Sequence, residues 1–327
     1  MNFREIFRFE FMYQAHRVLT WLYFAVLVAV AYLLIRGNSS DGARDDGVLV
    51  NSPYVIALAT AISSLLWVLM APAVAGSAAA RDVQTRMHPL IYTTPVSKAG
   101  YLGGRVLAAL VLDALILLAV QAGILLALLV SGIDPGILGP FRPAANLSAY
   151  VMIALPTAFA VTAFQFSFAL LNRRAVASYL GSLLIFVTMI VAGAVTNVLH
   201  MPTLGRLLDP IGFVSVVEFS RAWTPLEKNT LHIGLQGSML ARSILWAGIG
   251  LVALLFTYRR FHFGESETEA RSRGARRTAA MQDTQNQGPV STTLARSATA
   301  STPQVQRMFG FGTHVRQTLA IAWTSFA

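Results

Sequence analysis

The chain has 327 residues, of which 55% are hydrophobic and 12% charged, against about 25% charged in an ordinary soluble domain. Mean hydropathy is +0.59, too apolar for a surface that faces water, and a soluble globular enzyme is excluded on that ground. Lys and Arg number 25 and Asp and Glu 15, a formal net charge of +10; in so apolar a chain the surplus anchors loops at a membrane surface and does not point to nucleic acid. There is no cysteine, which removes disulfides, thiolate metal ligands and lipidation through a thiol.

Residues 1–17 read as a helix with Phe3, Ile6, Phe7 and Phe11 on one stripe. Such a helix lies along the interface as an elbow, its aromatics at headgroup level; the bland alternative is a plain extension of the first span. Residues 18–258 then hold six windows long enough to cross a bilayer, at roughly Val18 to Ile35, Tyr54 to Ala75, Val106 to Val130, Leu147 to Leu171, Ala175 to Leu199 and Ser238 to Tyr258. No small-residue cleavage site follows the first window, so it is read as retained. The expected fold class is therefore all-α integral membrane, with six transmembrane helices.

Basic residues set the orientation. Arg4, Arg8, Arg17, Arg81, Arg86, Lys98, Arg105, Arg173, Arg174, Arg259 and Arg260 fall on one side, with Arg271, Arg273, Arg276 and Arg277 beyond them; Arg36, Arg44, Arg142, Arg206, Arg221, Lys228 and Arg242 fall on the other. The positive-inside rule places both termini in the cytoplasm, and an even number of spans requires them to share a side. The first outer loop, with Asp41, Asp45 and Asp46, reads as solvated turn material. The last outer stretch, 200–237, is long yet apolar, with Leu204, Leu207, Ile211, Phe213, Val216 and Trp223. It is expected to form short re-entrant helices before the last span, since irregular backbone at membrane depth needs protein or a water-filled cavity around it. Residues 259–304 read as a disordered basic cytoplasmic linker whose arginines rest on anionic headgroups, and 305–327 as the incomplete start of a second unit.

No G-x-x-x-x-G-K-[ST] occurs, so the chain holds no P-loop for ATP, and its six histidines are isolated from one another in the sequence. No catalytic or metal constellation is read, and no cofactor is implied. The strongest feature is the connection between the second and third spans, 77–105. Pro89 ends a short polar helix there and Thr94-Pro95 forces an extended break, making a charged knob; its alternative is an ordinary basic connector. Inside the spans, Asp113 is the one acid well within the apolar windows, and Gln121 shares its helical stripe. Asp113 is either a functional lining of a path or an interhelical hydrogen bond. Gln165 with Ser167, and Thr188, are open to the same two readings, and Pro156 is a site for a kink in the fourth span.

The stretch Leu90-Ile91-Tyr92-Thr93-Thr94-Pro95-Val96-Ser97-Lys98, with Leu102-Gly103-Gly104-Arg105, resembles the coupling-helix loop of type 2 ABC exporter permeases. Leu208-Asp209-Pro210-Ile211-Gly212, Trp223-Thr224-Pro225-Leu226-Glu227-Lys228-Asn229 and Ser243-Ile244-Leu245-Trp246 look like the subgroup fused to a zinc aminopeptidase, whose peptidase half is not in this sequence. The resemblance covers about residues 1 to 260. It implies a membrane-spanning permease subunit whose ATP chemistry lies on a separate ABC ATPase subunit. That ATPase would be gripped through Arg81, Asp82, Arg86, Tyr92, Thr93, Thr94, Pro95 and Lys98. It further implies a second permease unit, either a homodimer or a paralogous half, and a plasma (inner) membrane location. Asp113, Gln121 and Gln165 then become candidate path-lining residues. A runner-up of another class is a scaffold that anchors a peptidase or assembly factor in the membrane and transports nothing.

Overall fold

The structure, a computed structural model, describes residues 3–37, 47–85, 87, 96–234 and 237–261. The acids at 41, 45 and 46, the linker from 262 onward and the segment 305–327 lie outside the described residues. Every element among the described residues is helical. In chain order they are α1 (Phe3–Ala15), α2 (Val18–Gly37), α3 (Pro53–Met70), α4 (Pro72–Gln84), α5 (Lys98–Leu129), α6 (Pro143–Ala149), α7 (Leu155–Asn172), α8 (Ser178–Asn197), α9 (Pro202–Leu208), α10 (Phe213–Phe219), α11 (Pro225–Thr230) and α12 (Gly237–Arg260). Six stretches are long and apolar enough to cross a membrane: α2, α3 with α4, α5, α6 with α7, Ala175–Asn197, and α12. The chain is an all-helical, multi-pass membrane protein, as its hydropathy predicts.

The second and third spans overrun their apolar windows, at 32 residues each. At 1.5 Å per residue that is about 48 Å, against a hydrocarbon core of about 30 Å. The ends of the 77–105 connection, 77–84 and 98–105, are thus helical continuations of the spans and not part of a separate knob. The second span passes through Pro72 without leaving helical geometry, Ala71 having φ −54° and ψ −32°. In the fourth span the backbone widens into one π-turn, Tyr150–Ala154, just ahead of Pro156, whose missing N–H cannot bond to the carbonyl four residues back. The sixth helix continues through Arg259 and Arg260, two residues past its expected limit, where cations complement the carbonyl end.

Small residues let the helices close on one another. A Cβ on Gly123 in the third span would meet the Val28 carbonyl and the Ala31 Cβ of the first span. The core is correspondingly rich in alanine, with Ala31, Ala61, Ala75, Ala109, Ala119, Ala127, Ala158 and Ala160 almost wholly buried.

Contacts gather the element ends into two sets. One holds α1, the helix ends around 81 and 101, and the end of α12, where Tyr101 stacks on Phe261 at 6.1 Å; we call it the terminal end. The other, the distal end, holds 47–52, 134–142 and α9 to α11. One short helix of the distal segment, α10, packs into the bundle, with Ser215 and Val216, and Ile211 just before them, fully buried. Asp209 organises them. Its carboxylate accepts backbone N–H groups from Ile211 (3.2 Å), Gly212 (2.9 Å) and Ser215 (2.8 Å), which caps α10. Gly212 takes φ +97°, leaving room for the buried Arg242 guanidinium, which reaches the Asp209 carbonyl at 3.4 Å. Trp246 Nε1 donates to the Leu207 carbonyl at 3.0 Å, and Thr157 Oγ1 to that of Ile211 at 3.0 Å.

Candidate functional site

At the terminal end α1 turns Ile6, Glu10 and Gln14 inward, residues four apart and so on one face. The inward stripe thus carries a carboxylate and an amide, whereas the aromatics Phe3, Phe9 and Tyr13 remain exposed. Glu10, 1% exposed, meets Arg81 in a two-pronged ion pair, Nη1 to Oε1 at 3.0 Å and Nη2 to Oε2 at 2.7 Å. Gln14 Nε2 donates to Glu10 Oε1 at 3.0 Å and to the Val74 carbonyl at 3.1 Å. Next to it Asp82 is paired with Arg105 and accepts from Tyr101 Oη at 2.9 Å. Arg105 also donates to the Ala78 carbonyl at 2.8 Å and stands 3.9 Å from Glu10 Oε2, so two cations and two carboxylates form one cluster. The Phe9 and Tyr13 rings cover the Arg81 guanidinium at 5.4 and 4.2 Å. A cavity of about 70 Å³ borders the cluster, lined among others by Glu10, Asp82, Tyr101 and Arg105.

The cluster relocates two of the sequence-derived coupling residues. Arg81 and Asp82 point inward, 13% and 7% exposed in their side chains, and grip α1 and the third span instead of presenting a surface to a partner. Lys98 lies at the start of the third span with its Nζ 4.7 Å over the Tyr258 ring. Arg86, Tyr92, Thr93, Thr94 and Pro95 lie outside the described residues. The partners Glu10, Gln14 and Tyr101 were not singled out from sequence, and Arg105 only as the end of the Leu102-Gly103-Gly104-Arg105 stretch. The available signal was an acid and an amide four apart on a helix otherwise crowded with aromatics.

Deeper in the bundle a seam of polar side chains joins the second to fifth spans, and the three candidate path-lining residues belong to it. Asp113, with no solvent exposure, accepts from Thr162 Oγ1 at 2.9 Å. Trp67 Nε1 and the second oxygen of Asp113, both buried, have no hydrogen-bond partner among the described residues. Gln121 Nε2 donates to Thr60 Oγ1 at 2.9 Å. Gln165 Nε2 reaches Ser182 Oγ at 3.0 Å and the Val68 carbonyl at 3.2 Å, and Ser182 Oγ donates to that carbonyl at 2.9 Å. Pro72 explains this convergence: its absent N–H is the one that would have bonded to Val68 in an uninterrupted helix. Asp113, Gln121 and Gln165 therefore sit between helices of one unit, 0%, 6% and 0% exposed. Thr188 Oγ1 bonds within its own helix, to the Leu184 carbonyl at 2.7 Å.

Among the described residues no group of three or more His, Asp or Glu is gathered in metal-binding proximity. The terminal-end cluster ties one separate helix, α1, to two long spans. No protein-family model matches the chain, and no curated protein matches it.

Proposed function

We propose that the chain is the membrane-spanning permease subunit of an ATP-driven exporter in the plasma membrane, its termini in the cytoplasm. It works with a separate ABC ATPase subunit and a second permease unit. The observation that carries this reading is the locked base of the 77–105 connection, the stretch that resembles a coupling loop. Both stems of the connection are helical, and the Glu10–Arg81 and Asp82–Arg105 pairs fasten them to each other and to α1. A load applied to the loop by a nucleotide-driven partner then moves the second and third spans together as a rigid body, the kind of step that alternating access requires. α1 rests at the interface, with Phe9 and Tyr13 at headgroup level.

Co-purification in mild detergent tests this. The native chain retains an ATPase subunit and its ATP hydrolysis, whereas a variant with Arg86→Ala, Tyr92→Ala and Lys98→Ala, which spares the ion cluster, loses both. If no ATPase accompanies the native chain, the exporter reading falls and a non-transporting scaffold takes its place.

A further inference from the structure

The distal segment is held in two different ways. α9 and α10 are bound into the core through Asp209, Arg242, Trp246 and Thr157. α11, by contrast, has no buried residue. Its hold on the bundle runs through Asn229, whose side-chain amide docks on the backbone of the first distal loop: Oδ1 accepts from the Leu49 N–H at 2.8 Å and Nδ2 donates to the Gly47 carbonyl at 2.9 Å. Arg142, from the connection after the third span, donates to the Asn229 carbonyl at 2.7 Å. Lys228 lies 5.1 Å over the Tyr54 ring. One residue thus joins three separate distal connections. A second asparagine, Asn51, binds Gly139 reciprocally, Nδ2 to O at 2.7 Å and N to Oδ1 at 2.8 Å. The same distal connections carry buried apolar residues: Val48, Val50, Ile137 and Ile233 are 8%, 0%, 6% and 1% exposed, and the Val50 N–H, next to Leu49, donates to the Ile137 carbonyl at 3.1 Å.

We propose that α11 is a strap at the distal end of the bundle, fastened by Asn229, that lifts away from the start of the second span and the loops beside it while α9 and α10 stay in place. The contacts that hold it are side-chain hydrogen bonds and a cation over a ring. These are the contacts that a low-energy local opening breaks, while the Asp209 and Arg242 anchorage belongs to the core and survives. For a permease, release of the strap is the step that frees cargo on the far side; that part rests on the exporter reading, whereas the opening itself does not.

Two measurements on the full chain separate the ideas, and the cysteine-free sequence gives both a clean background. In the first, Val50→Cys is labelled in detergent with a polar maleimide, alone and combined with Asn229→Ala or Asn229→Asp. Losing the fastening raises the labelling rate by about tenfold with alanine, and less with aspartate, which still accepts from Leu49. Equal rates in all three proteins overturn the strap, whatever the protein's function. In the second, Gly47→Cys with Pro225→Cys places two thiols on either side of the fastening. A Cβ on Gly47 lies 3.7 Å from the Pro225 Cβ, inside the range of about 3.5–4.5 Å that a disulfide spans. With the ATPase subunit bound, oxidation lowers ATP turnover severalfold and dithiothreitol restores it, the reduced protein being its own control. Turnover that ignores oxidation overturns the strap, while failure of any ATPase to accompany the chain ends the exporter reading and leaves the labelling result to decide.

Discussion

Glu10 carries more of the terminal end than any other side chain, because its carboxylate is shared by Arg81, Gln14 and, at 3.9 Å, Arg105. A buried ion pair of this kind adds little over an apolar pair of the same shape, but removing one partner strands the other charge, at a cost of about 3–5 kcal/mol. Glu10→Gln is therefore expected to lower stability by about 3 kcal/mol, and Glu10→Gln with Arg81→Leu to recover most of it. Thermal unfolding followed by tryptophan fluorescence decides, and a loss below about 1 kcal/mol would put the pair in the class of solvent-screened surface bridges. Asp113 calls for the opposite treatment. Asparagine keeps an acceptor for Thr162 Oγ1, so Asp113→Asn leaves stability within about 1 kcal/mol of native, whereas Asp113→Leu strands the buried hydroxyl at about 1–3 kcal/mol. If the carboxyl also serves transport, Asp113→Asn lowers the ATP turnover of the assembled complex without weakening assembly; unchanged turnover confines Asp113 to packing.

A proline inside a span is legible in sequence as a broken bond, but not the partner that repairs it. Pro72 withdraws the N–H that Val68 needs, and Gln165 and Ser182, from the fourth and fifth spans, take its place. The two changes are thus coupled: Gln165→Leu costs about 1–2 kcal/mol in the native background and less when Pro72→Ala returns a helical N–H to Val68. A double-mutant cycle with no coupling energy would mean that the amide binds Val68 by proximity alone. α11 shows a second element-scale consequence, at its capping box. The Thr224 N–H and Oγ1 both donate to Glu227 Oε2, at 2.7 and 2.9 Å, and hold its carboxyl below the ordinary value of 4.5. A depressed carboxyl contributes stability above its unfolded pKa and loses it as pH falls through the lower, folded one. Amide exchange across 224–230, corrected for its intrinsic pH dependence, is therefore expected to lose protection as pH drops below 4.5, and Glu227→Gln to remove that dependence. Hydropathy revealed the spans because a helix in lipid must be apolar along its length. It shortened the second and third because the last turns of the one and the first turns of the other carry Arg81, Asp82 and Arg105, charged residues that a hydropathy window counts against the helix. Partners 71 residues apart, such as Glu10 and Arg81, leave no local pattern.

At the scale of the whole molecule, the basic residues are unevenly shared between the two ends, and the orientation proposed above puts the richer, terminal end in the cytoplasm. The terminal end gathers Arg4, Arg8, Arg17, Arg81, Lys98, Arg105, Arg173, Arg174, Arg259 and Arg260. Several distal cations, by contrast, are engaged in holding the structure: Arg36 donates to the Val130 and Ser131 carbonyls at 2.7 and 2.9 Å, Arg142 to Asn229, and Arg242 is buried beside Asp209. Retention of positive charge on the cytoplasmic side acts on flanking residues during insertion, before these contacts form, so the bias in number is what sets topology. Single cysteines read it directly. Ser97→Cys, at the foot of the third span, is expected to react with a membrane-impermeant maleimide only after cells are permeabilised, and Thr230→Cys, exposed on α11, to react in intact cells. The reverse pattern would place the 77–105 connection outside, beyond reach of any cytoplasmic ATPase, and would remove the exporter reading together with the orientation. Labelling of both positions in intact cells would require an even number of crossings between them, and hence that one of the three helices from the third span to the fifth does not span.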